Sequence, residues 1–553
     1  MNWIISAFNL CSAAFIPFWG QLADIFGRTA AMEMALVVMI IGSALCTAAP
    51  LSAFPMLILG RALQGISEAG IIVISRTILA DKVSLKENAK NSSVFAFFAG
   101  ISYAVGPVIG GFLTSTSWRW CFGINLPVAV AGGLIVMVLL RPVLLGPQPL
   151  PENLQQTRGV KNSTIQRFIV RMSVIDYGGQ FLFLFGMGLI ILALTWGGAS
   201  YGWGTVQVML PLILGTILTG AFVSWEYWMA PGNYLAQRFP LQKPTIPWEL
   251  LVQRNMALLF YINFATGMGM CFPHTALRYT ANSALAMTAV LYFVDIYFTL
   301  VKAYTASQAG MQLLYYTPGI GIGVCMAMFM CNVWPKQTFA PLFLGSVIEA
   351  TGISVLAWAL NKSHIPTIYG MMGLTGAGTG LRLMPGSLHG IGFFPNDIAS
   401  VIALTAFAVP FGGTLAMTIM DAVFNNKAGF GLDSAPPASS SGTSSSNFIQ
   451  YISELPPDIE AMVRNSAKKG IIWSFIAILP FMWLCVVSAS FLGNVRITKK
   501  RKTDEQGRTD FSENVTESSF LLSFFRRRPE DTSASLEAVV VEIPNREKVA
   551  VHV

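Results

Sequence analysis

The chain is dominated by apolar runs of about twenty residues, the length an α-helix needs to cross the hydrocarbon core of a bilayer. They fall at 2–22, 31–49, 55–79, 93–115, 121–141, 175–197 and 206–230, then at 255–303, 307–331, 339–360, 367–388, 397–424 and 470–493. Inside hydrocarbon every backbone N–H and C=O must find its partner within the segment, so such runs fold as helices. Composition rules out a soluble alternative. Asp, Glu, Lys and Arg make up 11% of the 553 residues, hydrophobic residues 54%, and the mean hydropathy is +0.59. So little charge cannot cover the surface of soluble domains. The expected fold class is an all-α polytopic membrane protein of about thirteen spans. A soluble enzyme, a nucleic-acid binder and a secreted disulfide scaffold are excluded as first readings.

Lys and Arg set the orientation. The connections 80–92, 142–174 and 231–254 and the start of the tail at 494 carry clustered basic residues and share one side, which is then cytoplasmic. The opposite connections 50–54 and 198–205 have none. The Ser/Pro-rich stretch 425–469 is external, and the tail 494–553, with mixed charge and abundant Ser and Thr, reads as disordered. This topology puts Met1 outside, directly before an apolar run, which leads us to expect one further helix upstream. The net charge of +8 belongs mostly to these cytoplasmic loops. The seven cysteines form no C-x-x-C pair and the four histidines are scattered, so neither a metal site nor a disulfide framework is expected. No G-x-x-x-x-G-K-[ST] is present, which leaves ATP-driven transport without support.

Four short patterns carry the chemistry. The first turn on the cytoplasmic side reads Gly20-Gln-Leu-Ala-Asp24-Ile-Phe-Gly27-Arg28, an acid and a base four residues apart between glycines. The third run holds Arg61-Ala-Leu-Gln64-Gly65-Ile-Ser-Glu68. A charge inside an apolar helix costs several kcal/mol unless it is paired, hydrated or able to snorkel to the interface. Glu68 lies about two turns on, on the same face as Arg61. The fourth run ends Ser102-Tyr-Ala-Val-Gly106-Pro107-Val-Ile-Gly110-Gly111, small residues that permit close packing and a proline that kinks the helix. Asp176-Tyr-Gly178-Gly179 opens the sixth.

Together these resemble the major facilitator superfamily, and within it the 14-helix drug:proton antiporters of fungal efflux pumps. Gly20, Leu22, Asp24, Gly27 and Arg28 match that family's G-x-L-a-D-r-x-G-r-k turn, with Thr29 in place of a second base. Arg61, Gln64 and Gly65 match its R-x-x-Q-G motif. Gly106, Pro107, Gly110 and Gly111 match its antiporter motif, with Ser102 at the leading glycine. The resemblance covers residues 2 to about 493. It implies two helical halves, 1–141 and 255–424 with a last helix at 470–493, and a central extra pair at 175–230. It implies a latch in which Asp24 faces a helix N-terminus, and proton coupling through Arg61. Glu68, on the face of Arg61, and Asp295, inside a membrane run with Tyr292 and Tyr297, are candidates by position to partner or carry the proton. In that alignment the family's first helix is absent here.

The stretch 255–303 leaves two readings: two helices with a hinge around Arg278–Ser283, or one helix interrupted by an insertion at 271–288. The second keeps the basic tail cytoplasmic and is preferred. Glu349 and Arg382 are further intramembrane candidates, and the glycine run 373–380 reads as helix packing. The expected function is proton-coupled export of amphipathic small organic molecules by alternating access, by a monomer without cofactor. Its partners are the substrate, protons and the lipid bilayer, with no nucleic acid. The plasma membrane is the expected location, the vacuolar membrane the alternative. Uptake of siderophore-type chelates and a truncated non-transporting product are the competing readings.

Overall fold

A computed structural model describes residues 3–50, 53–81, 83–146, 164–197, 201–269, 289–304, 306–428, 456–497, 502–503, 509–510 and 515–522. The architecture is helical. The first half comprises α1 (Trp3–Phe26), α2 (Arg28–Ala48), α3 (Phe54–Ala80), α4 (Leu85–Thr116) and α5 (Trp120–Leu140). A short amphipathic helix α6 (Thr164–Met172) leads into the central pair, α7 (Tyr177–Trp196) and α8 (Val206–Met229). The second half comprises α9 (Arg254–Gly269), α10 (Ala289–Ile296), α11 (Tyr316–Asn332), α12 (Phe339–Lys362), α13 (Ile365–Leu383), α14 (Pro385–Phe393), α15 (Ile398–Ala428) and α16 (Pro457–Ser490). Among the described residues nine helices are long and apolar enough to cross a membrane.

Local chemistry sets the helix ends. Ser84 and Glu87 form a capping box at the start of α4: Ser84 Oγ accepts from the Glu87 N–H and Glu87 Oε2 from the Ser84 N–H. Asp176 caps α7 by accepting from the Gly179 N–H at 2.9 Å. Gly27, between α1 and α2, has φ 90°, a conformation in which a side chain is strained. The faces are divided as a bilayer requires. Val206, Leu210, Ile213 and Ile217 form an exposed apolar stripe on α8, while Val208, Gly215 and Phe222 are buried against neighbours.

Backbones approach closely where glycine allows it. A Cβ on Gly65 of α3 would collide with the Phe8 carbonyl of α1, and one on Gly267 or Gly412 with the carbonyls of Val409 or Phe264 across the α9–α15 contact. The run 373–380 behaves the same way: Gly376 and Gly380 face the α11 backbone and Gly378 faces Glu349, so these glycines serve packing.

The central pair touches both halves. Gln180 of α7 donates to Gln21 of α1, Phe183 stacks edge-on with Phe407 of α15, and Thr418 of α15 donates to the Leu194 carbonyl.

Several boundaries differ from the sequence reading. The connection 142–174 contains α6, and 231–254 contains helical turns at Tyr234–Arg238 and Trp248–Val252. α15 runs to Ala428 and α16 starts at Pro457, so the connection between them is shorter than 425–469. Among the described residues neither α9 nor α10, even with the π-helical turn Tyr297–Val301 that continues it, is long enough to cross alone. The candidate insertion 271–288 lies outside the described residues. The tail is a correction. Disorder was expected from 494, but the described pieces, 494–497, 502–503, 509–510 and 515–522, are ordered, and 494–495 and 515–521 pack on the second half; the remainder of the tail lies outside the described residues. β1 (Asn494–Val495) pairs antiparallel with β4 (Val515–Thr516), and β2 (Lys502–Thr503) with β3 (Thr509–Asp510). The Glu517 carbonyl accepts from Arg254 and Asn255, Ser519 donates to the Ser490 carbonyl at 2.9 Å, and the Phe520 ring lies 5.0 Å from Phe339. The physical reason is that Phe520 and Leu521 bury apolar surface against the core, which an averaged polar composition conceals.

Candidate functional site

At the face marked cytoplasmic by charge, the Gly20–Arg28 turn sits against the second half. Gly20 packs on Ala399 and Ala403 in the first turns of α15, so the end of α1 lies beside that helix N-terminus. Arg28 is 6% exposed and joins two acids. Its Nη1 lies 2.5 Å from Asp24 Oδ1, four residues back, and its Nε 2.8 Å from Asp81 Oδ2 at the end of α3. The Arg28 N–H also donates to the Leu145 carbonyl at 3.1 Å, beyond α5. Asp24 and Arg28, noted in the sequence as an acid and a base four residues apart, are thus paired, and Asp81, which the sequence did not flag, completes the group. On the same face Asn332 of α11 donates to Ser93 of α4 at 3.0 Å, a second contact between the halves.

Asp397, just before α15, faces this turn. Burial, then the charges of Asp24 and Glu249, push its carboxyl above the ordinary aspartate value, against the pull of Lys243. An acid whose pKa is raised in the folded state contributes stability below its unfolded pKa, and that contribution is lost as pH rises through the folded pKa. At neutral pH the packed face thus carries the cost of an ionised Asp397. Asp397→Asn is expected to raise the thermal unfolding temperature at pH 7, by the equivalent of a fraction of a kcal/mol at this partly solvated position, and to flatten its rise on acidification just above the aspartate range. Melting curves from pH 4 to 8 check this; an unchanged pH slope would refute it.

Within α3, Arg61, Gln64, Gly65 and Glu68 are brought together. The Arg61 guanidinium lies over the Phe8 ring, 4.1 Å from its centroid, and over Phe122 at 5.8 Å. Its Nη1 donates to Gln64 Oε1 at 2.9 Å, and Gln64 Nε2 donates to Ser43 Oγ at 2.8 Å, anchoring the arrangement to α2. Glu68 accepts from Ser12 of α1 and lies within electrostatic range of Arg61. Gly65 is needed for α1 to come this close. Asp295 is not part of this group: it is buried in α10, in the second half, beside Phe293 and Tyr297. Gly106, Pro107, Gly110 and Gly111 lie in α4, and their surroundings lie outside the described residues.

Two further clusters emerge. In the second half Arg382 of α13 pairs with Glu349 of α12, both essentially fully buried. At the base of the central pair Asp176 and Glu226 are both fully buried, and both hold the connection before α9. Of these residues the sequence singled out Glu349 and Arg382 as intramembrane candidates and Asp176 only as part of a motif; Glu226 it did not flag. Among the described residues no group of three His, Cys, Asp or Glu is placed to hold a metal ion.

A model described as the Major Facilitator Superfamily matches residues 1–334. The MFS-type efflux pump LUC4 of Fusarium sp is 28% identical over 502 residues, covering 89% of this chain and 79% of its own. The efflux pump FUS6 of Gibberella moniliformis (strain M3125 / FGSC 7600) is 28% identical over 513 residues, with the same coverages, 89% and 79%. Among solved structures, the human organic anion transporter MFSD10 (TETRAN) matches 88% of this chain and 83% of its own at 12% identity, with a TM-score of 0.45.

Proposed function

The chain belongs to the major facilitator superfamily, multi-pass membrane proteins that carry small molecules and are not enzymes, and on that premise we propose that it is a proton-coupled antiporter exporting amphipathic organic molecules. The observation that carries the reading is the charged group inside α3: Arg61, braced by Gln64 and two aromatic rings, with Glu68 on the same helix face. A membrane-depth acid next to a fixed cation can take up and release a proton while its helix stays in place. The two relatives named as efflux pumps support the outward direction.

The mechanism is alternating access. The halves meet through α1 on α15 and Ser93 on Asn332, contacts at the cytoplasmic ends, which suits a state closed to the cytoplasm. The Asp24–Arg28–Asp81 group latches that face. Proton arrival at the acids of the membrane interior and release to the cytoplasm then resets the carrier after each export step. The protein works as a monomer in the plasma membrane.

Reconstitution tests this. Proteoliposomes with an imposed pH gradient are challenged with a panel of lipophilic cations, aromatic acids and neutral amphipaths, and the luminal pH is followed. At least one class is expected to accelerate proton movement several-fold over empty liposomes. No acceleration by any class refutes the coupling, and uptake confined to iron–siderophore chelates refutes the direction.

A further inference from the structure

The central pair, α7 and α8, holds the connection that leads into the second half. Asp176 Oδ1 accepts from the Gly179 N–H and from Trp225 Nε1 at 3.0 Å, and its Oδ2 accepts from Thr245 Oγ1 at 3.2 Å. Gly178 makes room for this, because a Cβ there would collide with the Trp225 indole. Glu226 of α8, fully buried, accepts from the Ile246 N–H at 3.2 Å. One acid at the base of each helix thus pins Thr245–Ile246. Two residues earlier the Lys243 N–H donates to the Val174 carbonyl at 3.1 Å.

Gln21 reads this assembly from the latch turn. It is 8% exposed; its Nε2 donates to the Lys243 carbonyl at 2.7 Å and its Oε1 accepts from Gln180 Nε2 of α7 at 2.9 Å. The amide orientation is forced, because a carbonyl only accepts, so the nitrogen must face Lys243 and the oxygen is left for Gln180. Gln21 follows Gly20, the residue that rests on α15. One side chain therefore joins the latch turn, the central pair and the connection to the second half.

We propose that Gln21 is a positioning residue through which the central helix pair, and the Lys243–Ile246 segment docked on it, set how firmly the cytoplasmic face closes. This rests on the alternating-access reading above. The central pair is then a fixed post: the latch turn is held both by the partner half and by a segment that the post immobilises. No shorter or purely accepting side chain does the same. Glu keeps the acceptor for Gln180 but loses the donor to Lys243, and Met fills the space with neither.

The test uses the full chain in lipid nanodiscs. Spin labels are introduced through unnatural amino acids at Ala30 and Asn396, exposed positions on either side of this face. The wild type is expected to show a short and a long distance whose ratio responds to pH or to substrate. A single, unresponsive distance overturns alternating access itself. Given a responsive wild type, Gln21→Met is expected to raise the long-distance population about tenfold, as for two lost hydrogen bonds. Gln21→Glu is expected to fall between, and Gln180→Met to add nothing on top of Gln21→Met, since both act through one link. Melting temperatures of the same variants are expected to stay near wild type. A wild-type distance ratio in Gln21→Met, or a shift that merely tracks lost thermal stability, overturns the assignment.

Discussion

Arg61→Ala is expected to abolish proton-coupled export while the protein still reaches the membrane in normal amounts. Insertion does not suffer, because removing a cation from an apolar helix lowers the cost of placing it in hydrocarbon. Three interactions are lost together: the face-on contact with Phe8 at 4.1 Å, the hydrogen bond to Gln64 at 2.9 Å, and the field at Glu68. Charge-assisted contacts of this kind are worth about 1.5–3 kcal/mol each, so the coupled rate is expected to fall by about a hundredfold or more. Arg61→Lys separates charge from geometry. A lysine restores a positive charge near Glu68 but lacks the planar fork that covers Phe8 while donating to Gln64. It is therefore expected to regain part of the coupled rate with an altered pH profile. Both variants are measured as substrate-dependent proton flux in proteoliposomes. Wild-type flux with a wild-type pH profile in Arg61→Ala would remove Arg61, and the α3 group with it, from the coupling mechanism.

The elements were legible in the sequence for a physical reason: a bilayer allows few structures, and a twenty-residue apolar run has only one way to satisfy its backbone. The predicted third run, 55–79, is the observed Phe54–Ala80 almost residue for residue. The local spacings were legible as well. Asp24 and Arg28 sit four residues apart in sequence and meet in space, and Arg61 and Glu68 share a helix face as their spacing requires. What pattern could not reveal was the third party to each arrangement. Asp81 reaches Arg28 from fifty-three residues away and Ser12 reaches Glu68 from another helix, contacts fixed only by tertiary packing. Gln21 occupies the unspecified position of its motif, so nothing in the pattern marks it. Gly178 and Gly179 stood out as a pair, yet their use depends on Trp225 and Thr245, far along the chain. The packed piece of the tail, 515–522, escaped because two apolar side chains, Phe520 and Leu521, are too few to shift the composition of sixty residues.

The two halves treat their intramembrane arginine differently, and the contrast yields the second large effect. Arg61 leans on aromatic rings and is only partly buried, whereas Arg382 is 1% exposed and is neutralised by Glu349, which is 0% exposed. Around that pair Thr379 donates to Glu349 Oε1 at 2.5 Å, Tyr316 bonds Thr379 at 2.8 Å, and Arg382 Nη1 donates to Cys485 at 3.1 Å. The network thus ties α11, α12, α13 and α16 into one body. Removing one member leaves a buried charge without a counter-ion, which costs about 3–5 kcal/mol, whereas removing both charges often costs little. Glu349→Gln and Arg382→Met are each expected to unfold at markedly lower temperature in detergent, or to fail to accumulate. The double variant Glu349→Gln/Arg382→Met is expected to recover most of the loss. Melting temperatures within a degree or two of wild type for both single variants would show that the pair does not hold the second half together. The double variant then separates structure from mechanism. If it folds and exports, the pair is a brace and the proton pathway lies elsewhere, with the α3 group as its first claimant. If it folds and does not export, Glu349 belongs to the pathway, and each half of the carrier contributes one acid–arginine pair to the proton's route.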